Sequence, residues 1–89
     1  MNLRDAISIV EAEGLPGAFF GKPEHDYADS TVIHRGDNGW IVYVTDERAS
    51  VVPTGTSHFT NESDALDDFI SRLRDLKKYN DLSKKLFGH

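Results

Sequence analysis

The sequence predicts an α+β fold with an N-terminal helix, a three-stranded antiparallel β-meander, a C-terminal amphipathic helix and a short terminal helix. Three observations predict it. Apolar residues recur with helical spacing near the start of the chain, and two β-rich runs flank an Asn-Gly turn in the middle. A second helical stripe follows a capping asparagine. The 89 residues form one predicted domain, residues 1–89, which is long enough for one modest core.

The first helix is predicted to begin after Asn2, which can cap it with Asp5 at the third helical position. From Leu3 onward, apolar residues fall at i, i+3, i+4 and i+7, which places them on one face of a helix. Gly14 is a natural C-terminal stop, because glycine adopts the left-handed conformation that ends many helices.

Residues 15–30 are predicted to form a long loop, since their glycines and prolines interrupt any periodicity. A structureless connection of this length is uncommon in a compact domain and is often functional. We expect Leu15, Phe19 and Phe20 to anchor it to the core. Its second half is an acidic, amphipathic edge formed by Glu24, Asp26 and Asp29 with Tyr27 among them.

The clearest local pattern is a hairpin formed by residues 31–35 and 40–45, whose connecting turn ends in Asn38-Gly39. Side chains alternate between the two faces of a strand. We expect Trp40, Val42 and Val44 to face the helices, with Tyr43 on the more open face.

The third strand is predicted to begin between Ala49 and Pro53, pass a polar turn at residues 54–57 and resume at residues 58–60. Asn61 is expected to cap the second helix, whose apolar stripe is Leu66, Phe69, Ile70, Leu73 and Leu76. A short last helix is predicted to start at Asn80 or Asp81.

Charge divides the chain into an acidic body and a basic tail. Residues 72–89 hold six lysines and arginines against two aspartates, a net charge of +4 within a total of −5, so residues 1–71 carry −9. An acidic surface attracts basic partners and repels nucleic acid. The chain has no cysteine, and its first residues lack the basic start and the long apolar run of an export signal. We therefore expect a cytoplasmic protein that does not enter the membrane.

No pattern in the chain predicts an enzyme. The four histidines lie in separate segments without metal-site spacing, although Glu24-His25-Asp26 is a possible ligand group for a hard or borderline metal. Ser57-His58 lacks the strained turn that activates a serine nucleophile, and the glycines of residues 14–21 do not form a phosphate loop. We expect no catalytic residues, no bound metal and no cofactor.

A nucleic-acid-associated or regulatory adaptor is the alternative. It would use the basic C-terminal helix, in which lysines and arginines surround Tyr79. Several of these cations also lie where a helix end favours positive charge, and the acidic body opposes phosphate. The basic residues of this alternative are Arg72, Arg74, Lys77, Lys78, Lys84 and Lys85.

Residues 39–73 resemble the small immunity proteins of bacterial polymorphic-toxin and contact-dependent growth inhibition systems. Many of those proteins have Trp-x-Val-Tyr in a strand, Glu-Arg-Gly at its end, and Phe-x-x-Glu-x-x-Ala leading into a helix with phenylalanine. The family's glycine after Glu-Arg is Ala49 here, and residues 50–57 have no counterpart. The matching positions are Trp40, Val42, Tyr43, Glu47, Arg48, Phe59, Glu62, Ala65 and Phe69.

The resemblance implies a cytoplasmic antitoxin that binds one cognate toxin domain, often a nuclease, and covers its active site or substrate surface. An acidic body suits such a partner, because a nuclease presents a basic cleft to phosphate. The family shares no catalytic residues that could be transferred, so we selected loop and turn acids beside the hairpin, with one aromatic anchor. The predicted toxin-binding residues are Glu24, Asp26, Tyr27, Asp29, Asp37, Asp46 and Glu47.

Overall fold

A computed structural model describes residues 1–87 and confirms the α+β class, with an N-terminal helix, a β-sheet and a C-terminal helix. A single turn of 3₁₀ helix, Pro53–Gly55, precedes the last strand. The elements in chain order are α1 (Leu3–Glu13), β1 (Ala18–Phe20), β2 (Thr31–Gly36), β3 (Gly39–Val44), β4 (Ser57–Phe59) and α2 (Glu62–Phe87).

The sheet has four strands in the order β1-β2-β3-β4, and it is mixed. Strands β2, β3 and β4 form the expected antiparallel meander, but β1 adds a fourth strand that runs parallel to β2. The prediction that residues 15–30 form only a loop was therefore wrong for Ala18–Phe20. The third meander strand also begins later than predicted, because Val51 makes only an isolated bridge with Thr45.

The predicted starts of the first and second helices are confirmed. Asn2 and Asp5 form a reciprocal capping box at α1, which ends at Gly14 in the left-handed conformation. At α2, the Asn61 side chain accepts a hydrogen bond from the Asp64 backbone N–H at 2.8 Å. These contacts pair backbone groups that a helix terminus leaves without intrahelical partners.

The predicted break before a short terminal helix does not occur. Helix α2 is continuous through Asn80 and Asp81, so its 26 residues span about 39 Å. The side chains of Lys77 and Asp81 lie 3.7 Å apart across one turn, in a pairing that suits a helix interior. Asn80 and Asp81 are of types that often cap helices, and the prediction that one of them starts a new helix was therefore wrong.

The core lies between one face of the sheet and both helices. Val42 and Ile33 pack there against Phe69 and Leu66 of α2, and all four side chains are buried. Trp40 packs against the same cluster, which confirms the expected direction of Trp40 and Val42. Removing this much apolar surface from water is the main favourable contribution to folding.

Two arginines of α2 connect it to the rest of the fold. Arg72 pairs with Asp68 at 2.8 Å and also donates to the Gly55 carbonyl and the Ser57 hydroxyl. Arg74 makes two hydrogen bonds to Glu13 at the end of α1, at 3.0 and 2.6 Å. Hydrogen bonding to Arg74 lowers the pKa of Glu13 below its usual value. Both cations thus have intramolecular partners.

Neither helix, over residues 1–87, combines the length and the apolar composition that crossing a membrane requires.

Candidate functional site

The helices leave one face of the sheet uncovered, and we call it the helix-free face. Strand alternation and register place two rows of side chains on it. Phe19, Val32 and Tyr43 are neighbours across β1, β2 and β3. The second row, across β2, β3 and β4, is His34, Ile41 and His58.

Residues 21–30, the covering loop, lie against the first row. The Tyr27 ring stacks on Phe19 with centroids 5.1 Å apart and planes 8° from parallel. The His25 ring lies 4.4 Å from Tyr27. Tyr27 nevertheless stays 45% exposed, so the three rings form a stack that water and partners can reach. Parallel offset stacking of this kind holds aromatic side chains in a defined orientation.

Backbone contacts fix the other end of the covering loop. The Thr45 hydroxyl donates to the Tyr27 carbonyl and accepts from the Ser30 backbone N–H at 2.9 Å. The Asp29 backbone N–H donates to the Asp46 carbonyl, also at 2.9 Å. The loop is therefore held at the end of β3, next to the turn that follows that strand.

Tyr43 is buried, with 5% of its surface exposed, although the sequence suggested a more open position. The covering loop closes over it, and its hydroxyl donates to Asp26 Oδ1 at 3.0 Å. Burial, followed by this hydrogen bond, raises the pKa of Tyr43 to about 12. The neutral phenol is therefore the stable form in the folded protein at neutral pH.

The structure divides the seven predicted binding residues by position. Tyr27, Asp29, Asp46 and Glu47 lie near one another where the covering loop meets the end of β3. Asp26 lies in the same loop, bonded to Tyr43. Asp37 occupies the hairpin turn at the opposite end of β3, about 20 Å away by strand length, so it does not join this group. The remaining residue is Glu24, which is exposed in the covering loop.

Two of these carboxylates have structural partners. Asp46 Oδ1 accepts backbone hydrogen bonds from Arg48 at 2.8 Å and from Ser50 at 3.0 Å, which shapes the turn after β3. Asp26 accepts the Tyr43 hydroxyl. Glu24, Asp29 and Glu47 are exposed and make no side-chain hydrogen bond or ion pair among residues 1–87. They are the acids best placed to meet a partner.

Sequence reasoning did not place four members of the helix-free face, namely Phe19, Val32, His34 and His58. The period-two alternation that assigned Trp40 and Val42 to the core also assigns Ile41 to the opposite face. The same rule assigns His34 and His58 there once the strand register is known. Phe19 could not be found in this way, because β1 was not recognised as a strand.

One apolar cleft on the helix side is smaller than a typical small-molecule site. It has a volume of about 210 Å³ and is lined mainly by apolar groups, among them Leu3, Phe20, Trp40 and Leu66. Small-molecule sites usually measure about 300 Å³ or more and contain several convergent polar groups. Within residues 1–87, no three histidine, aspartate or glutamate side chains come together as metal ligands would.

The fold and this face define a small α+β module that presents a ring stack with acidic neighbours on one side of its sheet. Comparison of the chain with protein-family models, with curated proteins and with solved structures finds no match.

Proposed function

We propose that this protein is a cytoplasmic immunity protein, an antitoxin that binds a cognate toxin domain and covers its active site or substrate surface. The helix-free face carries the proposal. It offers an exposed aromatic anchor, Tyr27, held rigidly on Phe19, with the carboxylates of Glu24 and Asp29 in the same loop. Aromatic anchors surrounded by polar residues are typical of the centres of protein interfaces.

Charge favours a basic partner. Residues 1–71 carry a net charge of −9, and a toxin that cleaves nucleic acid presents positive charge to its substrate. Complementary charge accelerates association and discriminates against wrong partners. A basic nuclease domain is therefore the partner class that we propose.

The turn after β3 agrees with the resemblance to immunity proteins. Ala49 adopts φ +62°, a conformation that glycine reaches without strain, and the family pattern has glycine at this position. Glu47 and Arg48 form the preceding turn, as the pattern implies. This local agreement supports a shared turn, whereas the toxin partner rests on the surface and the charge.

The alternative is an adaptor that binds nucleic acid through the C-terminal helix. In the structure, some of the basic side chains that it would need already form ion pairs within the fold. Arg72 and Arg74 have partners within the fold. Such an adaptor would be retained on polyanions in a salt-sensitive manner, and neutralising Lys77, Lys78, Lys84 and Lys85 would abolish retention.

The decisive cellular test is protection. The antitoxin proposal predicts that the cognate toxin is encoded immediately upstream of this chain. That upstream polypeptide is expressed in a sensitive host with and without this chain. Growth is expected to be restored by this chain and by an Asp67→Lys variant on the helix side, but not by a Tyr27→Ala, Asp29→Lys variant that folds normally by circular dichroism. Failure of the unaltered chain to protect, or equal protection by all three, would contradict the proposal.

A further inference from the structure

Beyond the proposed antitoxin face, the end of α2 forms a second exposed surface, which we call the helix extension, residues 78–86. Up to residue 86, Leu73 is the last buried residue of α2, and Tyr79, Leu82 and Leu86 are 70%, 53% and 68% exposed. Seven residues separate the first from the last, so all three lie within about 60° on the helix surface. They form one apolar stripe.

This stripe points away from the protein core. The side of the helix extension that faces the end of α1 is polar, since Asn80 and Ser83 line a groove beside Gly14 and Pro16. A helix that merely continued the core would place its leucines in that groove, because apolar side chains gain most from leaving water. Packing among the side chains of residues 1–86 therefore does not explain the stripe.

Charge around the stripe defines what could cover it. Lys78 and Lys85 are seven residues apart and lie along the same flank, next to Leu82. A helix with an apolar stripe and a cationic flank is complementary to an apolar helix face that has carboxylates along its edge.

We propose that the helix extension docks against an amphipathic helix of a second protein, one whose apolar face is edged by carboxylates. The leucines would supply buried area, and Lys78 and Lys85 would set the register and orientation. Because α2 packs on the face opposite the helix-free face, both surfaces can be occupied at once.

Other occupants fit less well. Asp75 lies on the line of the stripe one turn before Tyr79, where it would face an anionic membrane surface directly. A partner helix can instead confine its carboxylates to the flank of Lys78 and Lys85. Nucleic acid would leave Leu82 and Leu86 without an apolar contact. In a second copy of this chain, antiparallel pairing along the stripe would bring Lys78 near Lys85 of the other copy, and parallel pairing would place two acidic bodies side by side.

The test uses the full chain and a synthetic 21-residue helical peptide with leucine at the heptad a and d positions and glutamate at e and g. A matched peptide carries glutamine in place of glutamate. Binding is measured by fluorescence anisotropy, and nuclear magnetic resonance shifts locate it. We expect binding of the glutamate peptide with shifts confined to residues 75–86, and at least tenfold weaker binding of the glutamine peptide.

Matched variants distinguish binding through the apolar stripe from non-specific binding to exposed apolar side chains. Leu82→Ser with Leu86→Ser should abolish binding, and Lys78→Glu with Lys85→Glu should weaken it at least tenfold, with helix content checked by circular dichroism. Val51→Ser, which removes another exposed apolar side chain, and Lys22→Glu should change nothing. Absence of binding, equal binding of both peptides, or tighter binding to phosphatidylglycerol vesicles or polyuridylate would overturn the proposal, as would self-association through the stripe in light scattering.

This result is independent of the antitoxin proposal. The stripe variants leave the helix-free face intact, so they are expected to protect cells against the upstream product as the unaltered chain does. If the unaltered chain binds the glutamate peptide but does not protect cells, that result would count against the antitoxin proposal alone.

Discussion

Individual residues connect the covering loop to the sheet. Tyr43 joins the two through one hydrogen bond, and Thr45 joins them through two. A hydrogen bond to a charged acceptor contributes about 1.5–3 kcal/mol when it is well shielded, and less near the surface. The orientation of Tyr27, and with it the proposed binding face, depends on a few such contacts.

Tyr43 predicts a stability loss at high pH. Its pKa is raised from 10.0 to about 12 in the folded protein, so folding favours the neutral phenol. The corresponding stabilisation is complete below about pH 10 and is lost as the pH rises toward 12. Urea unfolding at pH 9 and pH 11.5 should show a larger decrease for the unaltered chain than for Tyr43→Phe. Equal decreases would contradict the raised pKa of Tyr43, which burial and the Asp26 hydrogen bond together produce. At pH 7, Tyr43→Phe should cost about 1 kcal/mol.

Ala49 predicts a stabilising substitution. An L-residue in the left-handed region costs about 1–2 kcal/mol, whereas glycine adopts it freely but loses more chain entropy on folding. Ala49→Gly is therefore expected to raise the free energy of unfolding by about 0.5 kcal/mol in urea denaturation. The matched control, Ala12→Gly in helix α1, should lower it by up to about 1 kcal/mol. A loss of stability in Ala49→Gly would refute the left-handed turn.

At the scale of elements, the sequence correctly predicts the helix caps and the strand faces that depend only on neighbouring residues. The caps at Asn2 and Asn61 and the direction of Val42 follow from neighbouring residues, and all are confirmed. Strand β1 is only three residues long between glycines, and its pairing with β2 is parallel and non-local, so no sequence period reveals it. Tyr43 is buried for a related reason, because the covering loop between β1 and β2 closes over it through a non-local contact.

Substitution of leucine by alanine should affect stability differently in two regions of helix α2. Leu73 is fully buried, and Leu73→Ala is expected to cost about 2–5 kcal/mol, because it removes buried methyl groups and leaves a cavity. Leu82 lies in the helix extension, and Leu82→Ala should change stability by less than about 0.5 kcal/mol. Denaturant unfolding of both variants checks this contrast. A large effect at Leu82 would show that the stripe packs within the fold.

For the whole molecule, the fold separates two surfaces of different chemistry. The helix-free face and its covering loop are acidic and aromatic, while the helix extension is basic with an apolar stripe. Composition predicted the charge division, and loop patterning selected Tyr27, Asp29 and Asp46 of the candidate site. It could not predict that Asp37 lies apart from them or that histidines share the face, because both depend on strand register.

Calorimetric titration of this chain with the upstream-encoded polypeptide tests the central claim most directly. The variant Glu24→Lys, Asp29→Lys changes the helix-free side, and Glu11→Lys, Asp67→Lys makes the same change in net charge on the helix side. We predict a one-to-one complex that the first variant weakens at least tenfold and the second weakens far less. Absence of a complex, or equal weakening by both variants, would contradict recognition through this face.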